Sequence, residues 1–202
     1  KSRTYEFSDR VEAGDALGAI GDPRTTDFCA NLIACGADRT LLGRFPVTVG
    51  EFAVFVASGG YSSDTWWSAD GGVSFLRSLR SPHPANWDLQ LKRPNRPVVG
   101  VGWFEAAAWC RWKSAQMGFV VRLPTEDEWM SAARAHGSPW PWGGEKPDPE
   151  RANYGMLIGH ATPVGCYPRG MGPHGHLDLA GNVFEWLDSR PEAGVGLPDE
   201  IP

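Results

Sequence analysis

The stretch Arg122-Leu-Pro-Thr-Glu-Asp-Glu-Trp129 has the form of a buried strand end that turns directly into a capped helix. Thr125 and Glu128 are spaced as a capping box, in which each side chain accepts a hydrogen bond from the other residue's backbone N–H. Further along the chain, Gly181-Asn-Val-Phe-Glu-Trp186 has the form of a tight turn that leads into a short aromatic strand. Both motifs describe a scaffold, so reactive residues have to be sought elsewhere.

Three helices are predicted from capping and stop signals. Thr48 and Glu51 form a second capping box, and Glu105 lies in the first turn of another helical pattern. Each helix begins with a cap and ends at a glycine, which favours the left-handed conformation after a helix. The predicted helices start after Thr48, at about Trp103 and after Thr125, and they end before Gly59, Gly118 and Gly137.

Short strands are predicted from β-branched and aromatic runs bounded by Gly, Pro or Asn. These runs cover residues 11–20, 40–47, 98–101, 119–123, 162–167 and 183–186. Residues 61–97 and 136–181 have little periodicity, which is typical of long loops packed by their own Trp and Pro side chains. The expected class is α+β, with short twisted sheets, about three helices and long irregular loops.

Composition predicts one folded domain over residues 1–202. Gly 25 and Pro 17 are high, but 42% hydrophobic residues and 10 Trp supply the apolar area that a core needs. Lys+Arg 19 against Asp+Glu 24 gives a net charge of −5 without a basic run, so nucleic acid is not an expected partner. No segment approaches the ~20 apolar residues of a membrane-spanning helix. The start of the sequence has neither an initiator Met nor an apolar signal segment, which favours the cytoplasm without deciding the compartment.

Four cysteines are present, without a CxxC pair, so a structural zinc site has little support. Cys29 and Cys35 would be able to form a disulfide in an oxidising compartment. The other interpretation is that they are reduced and pack as small apolar residues, as expected also for Cys110 and Cys166.

The two motifs and their spacing resemble the formylglycine-generating enzyme family, also called the sulfatase-modifying factor family. Other segments of the chain occur in the family's order: Phe45-Pro-Val-Thr-Val-Gly-Glu-Phe52, Pro97-Val-Val-Gly-Val-Gly-Trp103, Ala106-Ala-Ala-Trp-Cys-Arg-Trp112, Pro141-Trp-Gly143, Ala152-Asn-Tyr154 and Thr162-Pro-Val-Gly-Cys-Tyr-Pro168. The resemblance covers most of the chain and implies an elaborated C-type-lectin fold.

For catalytic members, the resemblance implies a pair of copper-binding cysteines well downstream of the motif at 181–186. This sequence ends at Pro202 without such a pair, and Cys29 and Cys35 lie in the wrong part of the motif order. Copper is therefore expected only if a catalytic C-terminal segment exists. The domain is expected to lack that part of the family domain, and the chain as given is not expected to oxidise a substrate cysteine.

A related branch, the sulfoxide synthases of thiohistidine biosynthesis, is similar too and implies non-haem iron held by histidines of an additional helical domain. In this chain His174 and His176 alternate in Pro-His-Gly-His, and Asp178 follows. Two histidines and one carboxylate are an iron-binding set. The alternative is a pair of surface loop histidines.

Structural calcium is the other metal that the resemblance implies, because calcium prefers oxygen ligands. By motif position, Asn182 and Glu185 would contribute to one site, and Asn153 with the carbonyl of Tyr154 to a second. The alternative for Asn182 is a left-handed turn residue after Gly181, which needs no metal.

Aromatic residues in the long loop after the first predicted helix suggest a ligand surface. Tyr61, Trp66 and Trp67 would be good anchors for a protein or peptide if exposed, and they would cap the core if buried. The expected function is a non-catalytic ligand- or protein-binding module, with recognition or regulation as its role. The alternative is a formylglycine-generating oxidase whose catalytic cysteines lie outside this chain. A partner chain, a dimer mate or a missing C-terminal fragment is expected to cover an open sheet edge.

Overall fold

The computed structural model describes residues 7–35, 40–68, 71–134, 137–155 and 157–189. The two ends of the predicted domain 1–202 lie outside the described residues. The helices are α1 (Phe7–Ile20), α2 (Pro23–Thr26), α3 (Val49–Ala57), α4 (Gly72–Ser78), α5 (Trp87–Gln90), α6 (Trp103–Met117) and α7 (Glu126–Ala133), and the strands are β1 (Leu32–Cys35) and β2 (Thr40–Gly43). Single 3₁₀ turns lie at Cys29–Asn31, Asp64–Trp67 and Pro168–Gly170.

The three helices predicted from caps are confirmed as α3, α6 and α7. In α3 the Thr48 N–H donates to the Glu51 carboxylate at 2.9 Å, and the Glu51 N–H donates to the Thr48 hydroxyl at 3.3 Å. Helix α6 ends at Gly118, whose φ of 72° is the left-handed conformation that glycine permits. Helix α7 ends earlier than predicted, because Arg134 already has an extended backbone.

The prediction of a strand at 11–20 is wrong, because these residues belong to α1. Two glycines four residues apart, Gly14 and Gly18, lie on the buried side of α1, against Pro163 and Asn95 respectively. The small inner face allows the helix to pack closely, and this contact depends on residues far away in the sequence. The predicted loop 61–97 also contains two short helices, α4 and α5. The described residues therefore contain seven α-helices rather than about three.

The predicted strand at 40–47 is confirmed for β2, which pairs antiparallel with β1 from Leu32↔Gly43 to Cys35↔Thr40. Residues 119–123, 162–167 and 183–186 form no ladder with any described residue, and 98–101 adjoins a single bridge between Thr48 and Pro97. These four strand predictions are wrong. The segments are fixed mainly by isolated hydrogen bonds, several of them from side chains, instead of by neighbouring strands.

The main core lies between α3, α6 and the loop that contains the Asp64–Trp67 turn. Its rings pack edge-on or tilted, with centroids 5.4 Å apart for Phe52 and Phe55 and 5.6 Å apart for Phe55 and Trp112. Such aromatic contacts stabilise the core beyond the area they bury. None of the described helices is long and apolar enough to cross a membrane.

Helix α1 is attached to this body by close packing and by an ion pair. The Arg96 guanidinium, which is buried, contacts both carboxylate oxygens of Asp15 at 2.8 and 2.5 Å. Nearby, a methyl group added at Gly14 would lie 2.8 Å from the ring carbon Cβ of Pro163. Because a proline ring cannot turn aside, this helix position has no room for a side chain.

We expect Gly14→Ala to destabilise the protein by about 1–3 kcal/mol, the usual cost of overpacking a core. An exposed helical Gly→Ala change would instead stabilise by roughly 0.5–1 kcal/mol. Urea denaturation gives the free energy of unfolding, with Ser8→Ala on the exposed side of α1 as the control. An increase in stability for Gly14→Ala would show that α1 does not pack against Pro163.

Candidate functional site

An apolar groove of about 410 Å³ lies between β2, the segments 119–124 and 183–186, and the helices α3 and α6. Phe52 of α3 and Trp109 of α6 belong both to its lining and to the main core. Val121 and Leu123 line one segment, and the other contributes Val183 to Trp186. The volume falls in the range of pockets that hold small ligands, ~300–1,000 Å³.

Two indole hydrogen bonds fix the segment that carries the Gly181–Trp186 motif. The Trp186 N–H donates to the Val101 carbonyl, and the Trp103 N–H donates to the Leu187 carbonyl, both at 2.9 Å. The Asp188 N–H also donates to the Pro124 carbonyl at 2.8 Å. These bonds link the segment to the start of α6 and to the opposite segment of the groove.

The segment 119–124 is held by Ser114 of α6 and by the cap of α7. The Ser114 hydroxyl donates to the Val121 carbonyl and accepts from the Val121 N–H, at 2.9 and 2.8 Å. Arg122 donates to both carboxylate oxygens of Glu128 at 2.7 and 2.6 Å. This ion pair and the Thr125 N–H lower the pKa of Glu128 to about 2, so the carboxylate stays charged.

The rim of the groove exposes large apolar side chains. Phe184 is 95% exposed and Val120 is 81% exposed, and Leu41 and Phe119 are exposed as well. Exposed apolar side chains grouped around one concavity are typical of a binding surface, whereas scattered apolar residues need no explanation. The groove is therefore the strongest candidate for ligand binding in the described part of the chain.

Two further carboxylates line the groove. Glu51 is buried, and one of its oxygens, Oε2, accepts from the Thr48 N–H and the Thr48 hydroxyl at 2.9 and 2.8 Å. Burial raises the pKa of Glu51 despite these hydrogen bonds. Glu185 accepts from the Trp129 N–H at 3.3 Å, and loss of solvation raises its pKa to about 7, with a smaller contribution from Asp178.

The raised pKa of Glu185 predicts how stability changes with pH. In the unfolded chain this carboxyl loses its proton near pH 4.5, and in the folded protein only near pH 7. The folded state therefore binds more protons between these values, and the free energy of unfolding falls as pH rises through the window. Burial also raises the pKa of Asp178, to about 6, so the free energy of unfolding falls further as pH rises.

We expect Glu185→Gln, which is neutral at every pH, to make this fall smaller. Urea denaturation at several values from about pH 5 to 8 measures it. Glu126→Gln makes the same substitution at the exposed start of α7, outside the groove, and serves as the control whose slope should match that of the unmodified protein. Equal slopes for the unmodified protein and Glu185→Gln would contradict a carboxyl that is uncharged near neutral pH.

The aromatic residues predicted as ligand anchors lie mostly in the core. Tyr61 and Trp67 are buried, and the Tyr61 hydroxyl donates to Glu105 at 2.5 Å. The Trp67 N–H donates to the Gly60 carbonyl at 2.8 Å. Only Trp66 is partly exposed, and its carbonyl accepts from Arg111. This geometry fits the interpretation in which the three residues cap the core, while ligand binding by them stays a prediction.

Asn153 and Asn182, predicted as calcium ligands, lie together in a hydrogen-bonded turn. Asn182 has a left-handed φ of 66°. Its side-chain oxygen accepts from the Thr162 N–H at 2.8 Å, the Thr162 hydroxyl at 3.2 Å and the Asn153 amide at 3.4 Å. Tyr154 is exposed, and its hydroxyl donates to the Pro147 carbonyl at 3.1 Å. The arrangement satisfies Asn182 without a metal, and calcium stays a prediction.

Among the described residues, the histidines and cysteines do not form a metal-binding group. His176 is fully buried, and the buried Asp178 accepts from the Gly165 N–H at 2.8 Å. No group of three His, Cys, Asp or Glu side chains in the described ranges is arranged to hold a metal, and this includes His174, His176 and Asp178. All four cysteines are free, with Cys29 exposed and the other three buried. Burial raises the pKa of Cys110 and of Cys166 to about 12, which disfavours thiolate ligands.

Sequence reasoning assigned Glu51 and Glu128 to helix caps and missed that both also line a groove. It assigned the groove walls to strands and missed Phe184 as an exposed residue. The signal that was available is the apolar composition of 98–101, 119–123 and 183–186, three segments that converge on one concavity.

Comparisons with known proteins agree with the mixed helix and sheet architecture. Residues 37–194 match the family described as the sulfatase-modifying factor enzyme 1-like domain. The hercynine oxygenase of Mycobacterium tuberculosis is 36% identical over 201 residues, which cover 91% of this chain and 44% of that protein. The formylglycine-generating enzyme of Thermomonospora curvata is 30% identical over 190 residues, which cover 72% of this chain and 58% of that enzyme.

An inactive C-alpha-formylglycine-generating enzyme 2 of Bos taurus is also similar, with 36% identity over 111 residues that cover 48% of this chain and 34% of that protein. The chain therefore spans less than two thirds of the length of each of these relatives. The family match confirms the expected α+β, C-type-lectin-like class.

Proposed function

Because this chain belongs to the family of sulfatase-modifying factor enzyme 1-like domains, we propose that it is the substrate-binding domain of an oxygenase of the hercynine oxygenase kind. The similarity to hercynine oxygenase covers 91% of the chain, more than the segment 37–194 that defines the family domain. The formylglycine-generating enzyme of Thermomonospora curvata covers 72%. The balance of coverage favours the oxygenase.

The groove is the observation that carries this proposal. Its volume of about 410 Å³ suits a small molecule, its walls are largely apolar, and its carboxylates lie among aromatic side chains. A small ligand bound there would gain apolar contact with the walls and would be shielded from water by them.

The residues of this chain would bind and orient the substrate. Phe52 and Trp109 form the floor and belong to the rigid core, so they do not need to be ordered when a ligand binds. The described residues do not fit the copper or iron that the family implies, because no suitable set of ligands is arranged among them. We therefore assign no chemical step to a metal held by these residues.

A second candidate is the binding of an extended polypeptide, with or without oxidation of a cysteine in it. The segments 119–124 and 183–187 belong to no helix or strand ladder among the described residues, and their backbones make few hydrogen bonds to described residues. Backbone groups of this kind can pair with an added strand, and the exposed apolar rim would contact its side chains. This occupant would also cover the surface that is expected to need a partner.

Turnover of hercynine by the full-length protein tests the first proposal. Hercynine and oxygen consumption are measured by mass spectrometry and with an oxygen electrode, in parallel with a cysteine-containing peptide. Hercynine consumption supports the oxygenase, and oxidation of the peptide alone would replace it with the second candidate. If neither hercynine nor the peptide is consumed, catalysis is rejected for both, and non-catalytic binding becomes the proposed function.

We expect Phe184→Ala to raise the KM for the substrate about tenfold. The bound substrate would cover part of the exposed Phe184 ring, and losing that apolar contact costs about 1.4 kcal/mol of binding free energy. Ile20→Ala is the matched control, since Ile20 is 84% exposed and lies outside the groove. Both variants remove an exposed apolar side chain, so both should fold normally. An unchanged KM for Phe184→Ala would contradict substrate binding at this rim.

We also propose structural calcium at Asn182 and Glu185, and at Asn153 and the Tyr154 carbonyl, on the basis of the family resemblance and the oxygen-rich side chains. Thermal unfolding of chelator-treated protein tests it. Calcium that binds only the folded state raises Tm. At a calcium concentration one hundred times Kd, the free energy of unfolding increases by about 2.7 kcal/mol. An unchanged Tm at millimolar calcium would leave Asn182 as a turn residue.

A further inference from the structure

We propose that a second cavity of this protein binds a small ligand that combines a flat aromatic ring with a carboxylate group. The cavity lies between the second half of α7, residues 139–142 and the chain around Ala152 and Leu179. Its volume is about 310 Å³, within the range of small-ligand pockets, and we call it the tryptophan cavity. It shares no lining residue with the apolar groove, so this site is separate from the one assigned to the oxygenase substrate.

The floor of the tryptophan cavity belongs to a small core cluster. Ala133 and Leu179 line the cavity and are buried together with Cys35, and the Trp129 ring packs against this cluster. Ala152, another lining residue, is buried as well. Side chains that are already ordered in the core lose little conformational entropy when a ligand binds, so the floor is prepared for an occupant.

Two indole rings give the cavity a flat wall. The rings of Trp140 and Trp142 are nearly parallel, with 6° between their planes and 5.8 Å between their centres. The turn that carries them is closed by a hydrogen bond of 3.1 Å from the Gly143 N–H to the Trp140 carbonyl, and Pro141 restricts the backbone between them. Aromatic rings attract each other in offset or edge-on contact, so this wall favours a ligand with a flat ring.

The polar atoms of the other rings are already engaged. The Trp142 N–H donates to the Glu145 carbonyl at 2.9 Å, and the Tyr154 hydroxyl donates to the Pro147 carbonyl at 3.1 Å. The Trp129 N–H donates at 3.3 Å to a carboxylate outside the lining. These side chains therefore offer mainly apolar surface, which suits an aromatic ring better than a ligand rich in hydroxyl groups.

Arg134 supplies the charge that determines the second half of the ligand. It is the only charged side chain among the described lining residues, and it is exposed. Arg151 nearby forms ion pairs with Glu145 and Asp148, whereas Arg134 forms none with any residue that the structure describes. A guanidinium group presents parallel N–H donors that match the two oxygens of a carboxylate. An anionic ligand is therefore favoured over a neutral or cationic one.

The position of Arg134 at the end of α7 also explains why a cation is stable there. Its backbone N–H donates to the Met130 carbonyl at 2.9 Å, and the carbonyl end of a helix favours positive charge. A lysine would satisfy the helix end equally well. Only arginine offers two donors in one plane to a bound carboxylate, so the two roles are separable by substitution.

Three probes separate the contribution of charge from that of the flat ring. 2-Naphthoate is compared with 2-naphthamide, which has the same shape without the charge, and with decahydro-2-naphthoate, which has the charge without the aromatic ring. Isothermal titration calorimetry with the full-length protein at about pH 7 measures all three. We expect 2-naphthoate to bind about fivefold more tightly than either comparison compound. Equal affinity in either comparison overturns the proposal.

Substitution of Arg134 tests where the carboxylate binds. We expect Arg134→Gln to abolish the preference for 2-naphthoate over 2-naphthamide and Arg134→Lys to retain about twofold, because lysine keeps the charge and loses the parallel donors. Arg80→Gln, at an exposed arginine outside the cavity, is the matched control and should keep the fivefold preference. Both arginines are exposed, so both variants should fold, and the urea midpoint checks this. A preference that survives Arg134→Gln overturns the proposal.

Two further variants test where the ring binds. Trp140→Leu keeps apolar bulk without a flat face and should abolish the preference for 2-naphthoate over its saturated analogue. If its urea midpoint is lowered, the Arg134→Gln result decides. Phe184→Ala changes the rim of the apolar groove and should leave all three affinities unchanged. Weaker binding of 2-naphthoate to Phe184→Ala, with unchanged binding to Arg134→Gln, would place the probe in the groove and reject the tryptophan cavity as its site.

Discussion

Two indole hydrogen bonds hold the walls of the groove in place. The Trp186 N–H reaches the Val101 carbonyl, and the Trp103 N–H reaches the Leu187 carbonyl, across separations of 85 and 84 residues. Each such bond contributes only about 1 kcal/mol. Together they join the beginning of α6 to a segment that has no strand neighbour among the described residues. The position of Phe184 and Glu185 in the groove depends on this link, because both residues lie in the segment that it fixes.

Three helix caps in this fold share one motif, but the pKa values of their glutamates are shifted in different directions. Glu51, Glu105 and Glu128 each accept a hydrogen bond from a cap backbone N–H, at 2.9, 2.6 and 2.8 Å. Arg122 keeps the pKa of Glu128 low, whereas burial raises the pKa of Glu51 and of Glu105. Glu105 also accepts a hydrogen bond from the Tyr61 hydroxyl, so this capping residue is part of the hydrogen bonding within the core. Glu51 lines the groove, so a residue that caps a helix is also part of the groove wall.

Local signals explain which elements the sequence predicts. The caps and glycines of α3, α6 and α7 lie within a few residues of the helices they bound, so these helices are predictable. Helix α1 is not, because its fit depends on Gly14 against Pro163, which lies far away in sequence. Extended apolar segments such as 119–123 indicate burial correctly, but an apolar pattern does not identify a hydrogen-bonding partner. The predicted strands therefore became the walls of a groove.

Candidate sites were harder to predict for the same reason. Asn182 is conspicuous in its motif, yet its side-chain oxygen is occupied by Thr162 and Asn153, and only the folded chain brings these together. Tyr61 and Trp67 resemble exposed anchors in an irregular loop, but they pack against each other with ring centres 5.3 Å apart in the core. Residue type gives the chemistry that is possible at a position. Exposure and pairing, which are long-range properties, decide whether that chemistry is available.

The floor of the groove belongs to the core of the fold, whereas its walls carry side chains that are less constrained by the fold. Its floor, including Phe52 and Trp109, is part of the core and constrains packing throughout the domain. Its walls at 119–124 and 183–187 are fixed at a few points, by Ser114, Trp103 and Trp186, rather than by a continuous ladder. Side chains between those points can change without breaking backbone pairing, so one scaffold is able to present different groups to a ligand. In this chain those groups are mainly apolar, with Arg122 and Glu185 as the charged members, and they rather than the fold decide which ligands the groove can accept.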